Sequence, residues 1–150
     1  MSMRVPPLAQ VLLFGLLGLA LSMLFPSPQM DGPWFTFLAA LLCGSGLALL
    51  AFAVGAFVHA KTTVNPLAPE SAEELVTSGL FRFSRNPMYL GMLLVLTGGL
   101  IWLGAWSAML APILFIWVIT EIQIKPEERA LQQKFGDQFT LYRSRTRRWI

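Results

Sequence analysis

From Met88 to Ile122 the chain is almost unbroken apolar sequence, with Glu121 as its one charged residue. A single helix of that length would reach about 52 Å at 1.5 Å per residue. The hydrocarbon core of a bilayer is only about 30 Å thick, so the run must turn. The stretch "LGAW", Leu103–Trp106, is the place: Gly104 admits the backbone a reversal needs, and Trp102 and Trp106 suit a membrane interface. The run is therefore read as two short helices, about 88–103 and 106–122, forming a hairpin.

Two further apolar segments, about 8–25 and 34–59, precede it. With 55% hydrophobic and 13% charged residues, against roughly 25% charged in soluble domains, the chain reads as one all-α integral membrane domain spanning 1–150. It has about four transmembrane helices and an amphipathic C-terminal helix on the cytoplasmic side. In the second segment Ala40, Gly44 and Ala48 recur every four residues, a spacing that suits close helix packing. The first segment reads as a retained anchor rather than a cleaved signal peptide. Cys43 has no second cysteine to pair with within a monomer and reads as a packing residue.

The basic residues set an orientation. The connection from Phe25 to Pro33 and the turn at Gly104 carry no Lys or Arg. Arg4, the 59–87 connection (Lys61, Arg82, Arg85) and the tail beyond Ile122 hold all eleven. This positive-inside pattern places both termini in the cytoplasm and the protein in the plasma or inner membrane. A nucleic-acid partner is not expected, because basic residues beside a membrane are accounted for by topology and lipid. With His59 as the sole histidine, a multi-histidine metal site is excluded, and no P-loop or dinucleotide-type glycine motif occurs.

The polar chemistry gathers at that basic end. "ESAEELV" reads as a short helix ended by Gly79. "SRNPMYLG", Ser84–Gly91, packs Arg85, Asn86, Pro87 and Tyr89 into a helix entrance. Glu121 closes the last apolar segment, Gln123 and Glu127 share a helix face four residues apart, and Glu128 follows. Taken singly, each has a plain structural reading: a boundary residue, a helix start at Pro87, an interfacial tyrosine, acidic groups in a first helical turn beginning at Pro126. Leu131, Phe135, Phe139 and Tyr142 give the tail an apolar face, interrupted at Gly136, suited to a helix lying on anionic lipid or to a lid.

Taken together, "LVTSGLFRFSRNPMYLG", a short hairpin and then "EERALQQKFGDQFTLY" resemble the isoprenylcysteine carboxyl methyltransferase family. The broader group includes membrane phospholipid methyltransferases. The resemblance covers about Lys61 to Ile150, and it rests on the combination of segments. It implies a membrane methyltransferase that uses S-adenosylmethionine. By position it places Glu74, Leu75, Val76, Phe81, Asn86, Pro87, Met88, Tyr89 and Glu127 at the cofactor. A carboxylate such as Glu127 suits the cofactor's ammonium group, and aromatic groups suit its adenine or sulfonium.

Two positions depart from the family. Asn86 stands where the isoprenylcysteine enzymes usually have His. Gln123 stands where they have an Arg proposed to hold the substrate carboxylate, so a bidentate clamp is lost. The implied activity is therefore methyl transfer to a lipid-like or prenylcysteine-like acceptor at the cytoplasmic face, with Gln123, Glu128 and Glu121 as candidate catalytic residues. Glu121 or Glu128 would take a proton where the acceptor is an amine. Two other readings stand beside this one: a non-catalytic membrane interaction protein, and an NADPH-dependent membrane reductase akin to sterol reductases.

Overall fold

The computed structural model describes residues 5–59 and 74–150; the Lys61 region and the first part of "ESAEELV" lie outside that range. Helix α1 runs Pro7–Leu24, α2 Pro33–His59, α3 Pro87–Trp102, α4 Leu110–Ile119 and α5 Lys125–Arg145. A 3-10 turn at Gly79–Arg82 precedes α3, another at Trp106–Met109 precedes α4, and a π turn, Thr120–Ile124, joins α4 to α5. The protein is an all-α membrane protein. α1, α2 and the stretch Trp106–Arg145, whose apolar part is its first half, are long and apolar enough to cross a bilayer. α3, with 16 residues, reaches about 24 Å and is shorter than the hydrocarbon core.

The hairpin forms where its length requires. Gly104 adopts φ +80°, which L side chains resist. Its carbonyl accepts from the Met30 N–H at 2.5 Å, and Ser107 N–H donates to Ser27 Oγ at 3.1 Å. The two connections without basic residues thus meet at one end of the bundle. Trp102 and Trp106 are exposed there.

α3 is the hub. Its Leu96 and Leu100 lie against Gly15 and Gly18 of α1, while Gly91 and Gly98 lie against α2. At 100° per residue these pairs fall on nearly opposite faces of α3. The α2 face that packs is not the expected one. Ala40, Gly44 and Ala48 are exposed, and the buried small residues are Ala39, Gly46 and Ala53. A Cβ on Gly46 would sit 2.7 Å from the Gly91 carbonyl oxygen, and one on Gly91 2.8 Å from that of Gly46. Backbones this close exclude any side chain. Gly91→Ala should therefore destabilise the protein by about 1–3 kcal/mol, the usual cost of overpacking, while Gly44→Ala, facing open space, should not. Thermal unfolding in detergent checks the pair.

The expected helix over "ESAEELV" is not found in its described part. Residues 74–78 are non-helical, and Gly79 opens a 3-10 turn rather than ending a helix. Nor does a helix start at Pro126. The chain is already helical from Leu110, and the missing Pro126 N–H falls just after the π turn, a common way to absorb a proline in a helix.

α5 is two helices with a corner. Gly136 has φ 50° and ψ −121°. Gln132 Nε2 donates to Thr140 Oγ1 at 3.0 Å, whereas eight residues of straight helix would separate them by about 12 Å. The second half therefore folds back on the first.

Candidate functional site

The fold-back places the C-terminal segment beneath the Ser84–Asn86 loop. Arg85 N–H donates to the Arg147 carbonyl at 2.9 Å, and the Asn86 side-chain amide donates to the Arg148 carbonyl at 3.0 Å. Asn86 precedes Pro87 at the start of α3 and makes no side-chain cap to that helix. Its amide NH2 is committed to Arg148. The Arg85 guanidinium donates to the carbonyls of Arg143 and Thr146 at the end of α5. It also bonds Glu128 Oε1 at 2.8 Å, while Arg148 bonds Glu128 Oε2 at 2.7 Å.

This Arg–Glu–Arg cluster is largely buried: the Arg85 and Glu128 side chains are 8% and 11% exposed. Burial alone would raise the Glu128 pKa, but hydrogen bonds from Arg148 and Arg85 outweigh it and hold the carboxyl below its ordinary value. The same bond to Glu128 keeps Arg148 protonated. Tyr142 donates its hydroxyl to the Phe81 carbonyl at 2.7 Å, and burial pushes its pKa well up, so it stays a donor.

Glu127 faces a different way. Neighbouring helical residues point about 100° apart, and Glu127 Oε1 accepts from the Tyr89 hydroxyl at 2.6 Å and from Gln123 Nε2 at 2.7 Å. The four-residue spacing of Gln123 and Glu127 thus survives the π turn. Tyr89 brings α3 to α5 through the same oxygen.

Between these elements lies a cavity of about 320 Å³, within the range of small-molecule sites. All nine residues expected at a cofactor line it: Glu74, Leu75, Val76, Phe81, Asn86, Pro87, Met88, Tyr89 and Glu127. The three expected catalytic residues are placed differently. Glu128 lines the cavity, but in its ion pairs. Glu121 is exposed, bonded to Lys125 at 2.5 Å, and does not line it. Gln123 is fully buried behind Glu127 and does not line it either.

Sequence reasoning passed over several lining residues. Arg85 read as a boundary charge. Leu131, Phe139 and Tyr142 were visible as the apolar stripe of the tail, and the fold-back turns that stripe inward against Leu75, Val76 and Phe81. Leu8 from α1 and Phe57 from α2 carry no signal within uniformly apolar helices. Phe57 meets Phe81 edge to face at 5.2 Å between ring centres.

Comparison with known proteins identifies the family. The phospholipid methyltransferase family matches residues 34–138, a range that takes in α2, the hairpin and Glu127. The chain is also 46% identical over 63 residues to an uncharacterized protein of Haemophilus influenzae, covering 42% of this chain and all of that protein. No solved structure matches it. The chain belongs to the phospholipid methyltransferase family and is a membrane methyltransferase.

Proposed function

We propose that the cavity binds S-adenosylmethionine and that the protein methylates a lipid-like acceptor bearing an amine, at the cytoplasmic face of the membrane. The observation that carries this reading is the lining itself. Three carboxylates line it, Glu74, Glu127 and Glu128; Glu128 and the one described cation there, Arg85, are committed to each other, and apart from Asn86 the rest of the described wall is apolar and aromatic. Such a wall complements a cationic ligand with a flat ring system. It offers little to the phosphates of a nicotinamide dinucleotide, which disfavours the reductase reading. The apolar reach toward Leu8, Phe57 and Met92 gives an acceptor's hydrocarbon part a place to lie. The family's phospholipid chemistry and the loss of a carboxylate clamp at Gln123 both favour an amine acceptor over a prenylcysteine carboxylate.

The chain's own residues supply holding and exclusion of water. Glu127, oriented by Tyr89 and Gln123, presents a fixed carboxylate to an ammonium or sulfonium. Gln123 acts as a positioning residue, through Glu127. Asn86, with its NH2 group tied to Arg148, retains its side-chain oxygen as an acceptor for ligand N–H or O–H groups. When bound, S-adenosylmethionine supplies an electrophilic methyl on a cationic sulfur, which keeps the C–S electron pair as the acceptor lone pair takes the carbon. An amine acceptor must arrive with that lone pair free. Glu128 is a poor base for the purpose, since its pKa is lowered by two guanidinium partners, and Glu121 lies away from the cavity. Holding donor and acceptor in line in a dry site supplies most of the acceleration.

The test is transfer of labelled methyl from S-adenosylmethionine, by protein in mixed micelles, to phosphatidylethanolamine and to a prenylcysteine carboxylate. Label should enter the amine lipid at least about tenfold faster, a difference of about 1.4 kcal/mol. Faster labelling of the prenylcysteine would overturn the assignment of the acceptor.

A further inference from the structure

A second concave site lies on the other side of the Glu128–Arg148 pair. It is a groove of about 450 Å³ lined by Lys125, Arg129, Arg143 and Arg148, together with Glu128, Gln132 and Gln133. The corner at Gly136 creates it, by bringing Arg143 of the second half of α5 back toward Arg129 of the first. Its charges are not balanced. Lys125 is paired with Glu121, and Arg148 with Glu128. Arg129 and Arg143 make no ion pair among the described residues, and both are exposed. Two guanidinium-bearing residues lining one concave wall are suited to the oxygens of one phosphate.

The position of the groove favours a lipid over a soluble phosphate compound. Ile122, Lys125 and Arg129 are spaced three and four apart, so they form one stripe along the helix. That stripe passes from an apolar residue 52% exposed at the end of the last membrane segment to two cations just beyond it. Ile150, two residues after Arg148, is 74% exposed and adds apolar surface. Acyl chain below and phosphate above match that order.

We propose that this groove is a binding site for the phosphate headgroup of an anionic phospholipid, separate from the cavity that holds Glu127 and independent of the acceptor's identity. Glu128 lines both, and its partner Arg148 lines the groove, so an occupied groove braces the C-terminal segment that orients Asn86.

The test uses the full-length protein in detergent, titrated with phosphatidylglycerol or phosphatidylcholine and read as bound lipid by native mass spectrometry. Phosphatidylglycerol should bind roughly thirtyfold more tightly, the effect of two basic groups beside an anionic lipid. The double variant Arg129→Gln/Arg143→Gln should lose that preference. Arg145→Gln/Arg147→Gln, which removes the same charge from exposed positions outside the groove, should keep it. Equal loss in both double variants would mean diffuse surface charge and overturn the site, as would no preference in the wild type. Displacement of bound phosphatidylglycerol by millimolar inorganic phosphate at constant ionic strength would overturn the lipid assignment in favour of a soluble phosphate ligand.

Discussion

Replacing Glu128 with Ala should lower stability by about 3–5 kcal/mol, the cost of stranding a buried charge. Arg85 is 8% exposed on its side chain and cannot turn to water. It would be left facing Arg148, a second cation, across the space the carboxylate occupied. In a chain of this size the melting temperature should fall by about 10 °C or more. Arg85→Ala/Glu128→Ala together should cost less than the sum of the single changes, because the two residues share one interaction. The same cluster gives an acid dependence. The folded-state pKa of Glu128 lies below its ordinary 4.5. Its contribution is therefore complete above about pH 4.5 and is lost as pH falls through the depressed folded value. Thermal unfolding in detergent from pH 7 to pH 3 should show wild type and Glu128→Ala converging at the acid end. A Glu128→Ala protein melting within 2 °C of wild type at pH 7 would contradict the role given to the cluster.

Glu127→Ala should act on binding instead. Losing a charged hydrogen-bond partner costs about 1.5–3 kcal/mol, or roughly tenfold to a hundredfold in the dissociation constant for the methyl donor. Stability should change far less than in Glu128→Ala, because Tyr89 and Gln123 keep their places in the α3–α5 packing. Gln123→Ala should weaken donor binding by a smaller amount, and Glu127→Ala/Gln123→Ala should be no worse than Glu127→Ala alone, since Gln123 acts through Glu127. Equilibrium dialysis with labelled donor measures all three. Additive losses would show that Gln123 touches the ligand itself.

The adjacent glutamates illustrate what the sequence can and cannot disclose. Their occurrence after "RNPMY" and a hairpin resembles a family pattern, and all nine residues carried over from it line one cavity. Which glutamate meets Tyr89 and Gln123 and which meets the two arginines is set by a 100° turn of helix and by partners distant in the sequence, neither of them visible locally. The hairpin was legible because length against bilayer thickness forces it and Gly104 permits it. The packing face of α2 was not, because a helix apolar all round carries no facial signal; the glycines of α3 decide it. At Gly136 an interruption could be foreseen, but not a reversal, which depends on Gln132 meeting Thr140 and on Arg85 gathering the carbonyls of the C-terminal segment.

The central claim is that the cavity between α3, α5 and the 74–89 segment takes a methyl donor. Calorimetric titration of the purified protein in detergent tests it most directly, with S-adenosylmethionine, S-adenosylhomocysteine and NADPH as separate ligands. The account predicts saturable binding of the first two at one site per chain, weakened in Glu127→Ala, and no heat from NADPH. Absence of binding by both S-adenosyl compounds to folded wild-type protein, or saturable binding of NADPH in their place, would contradict it.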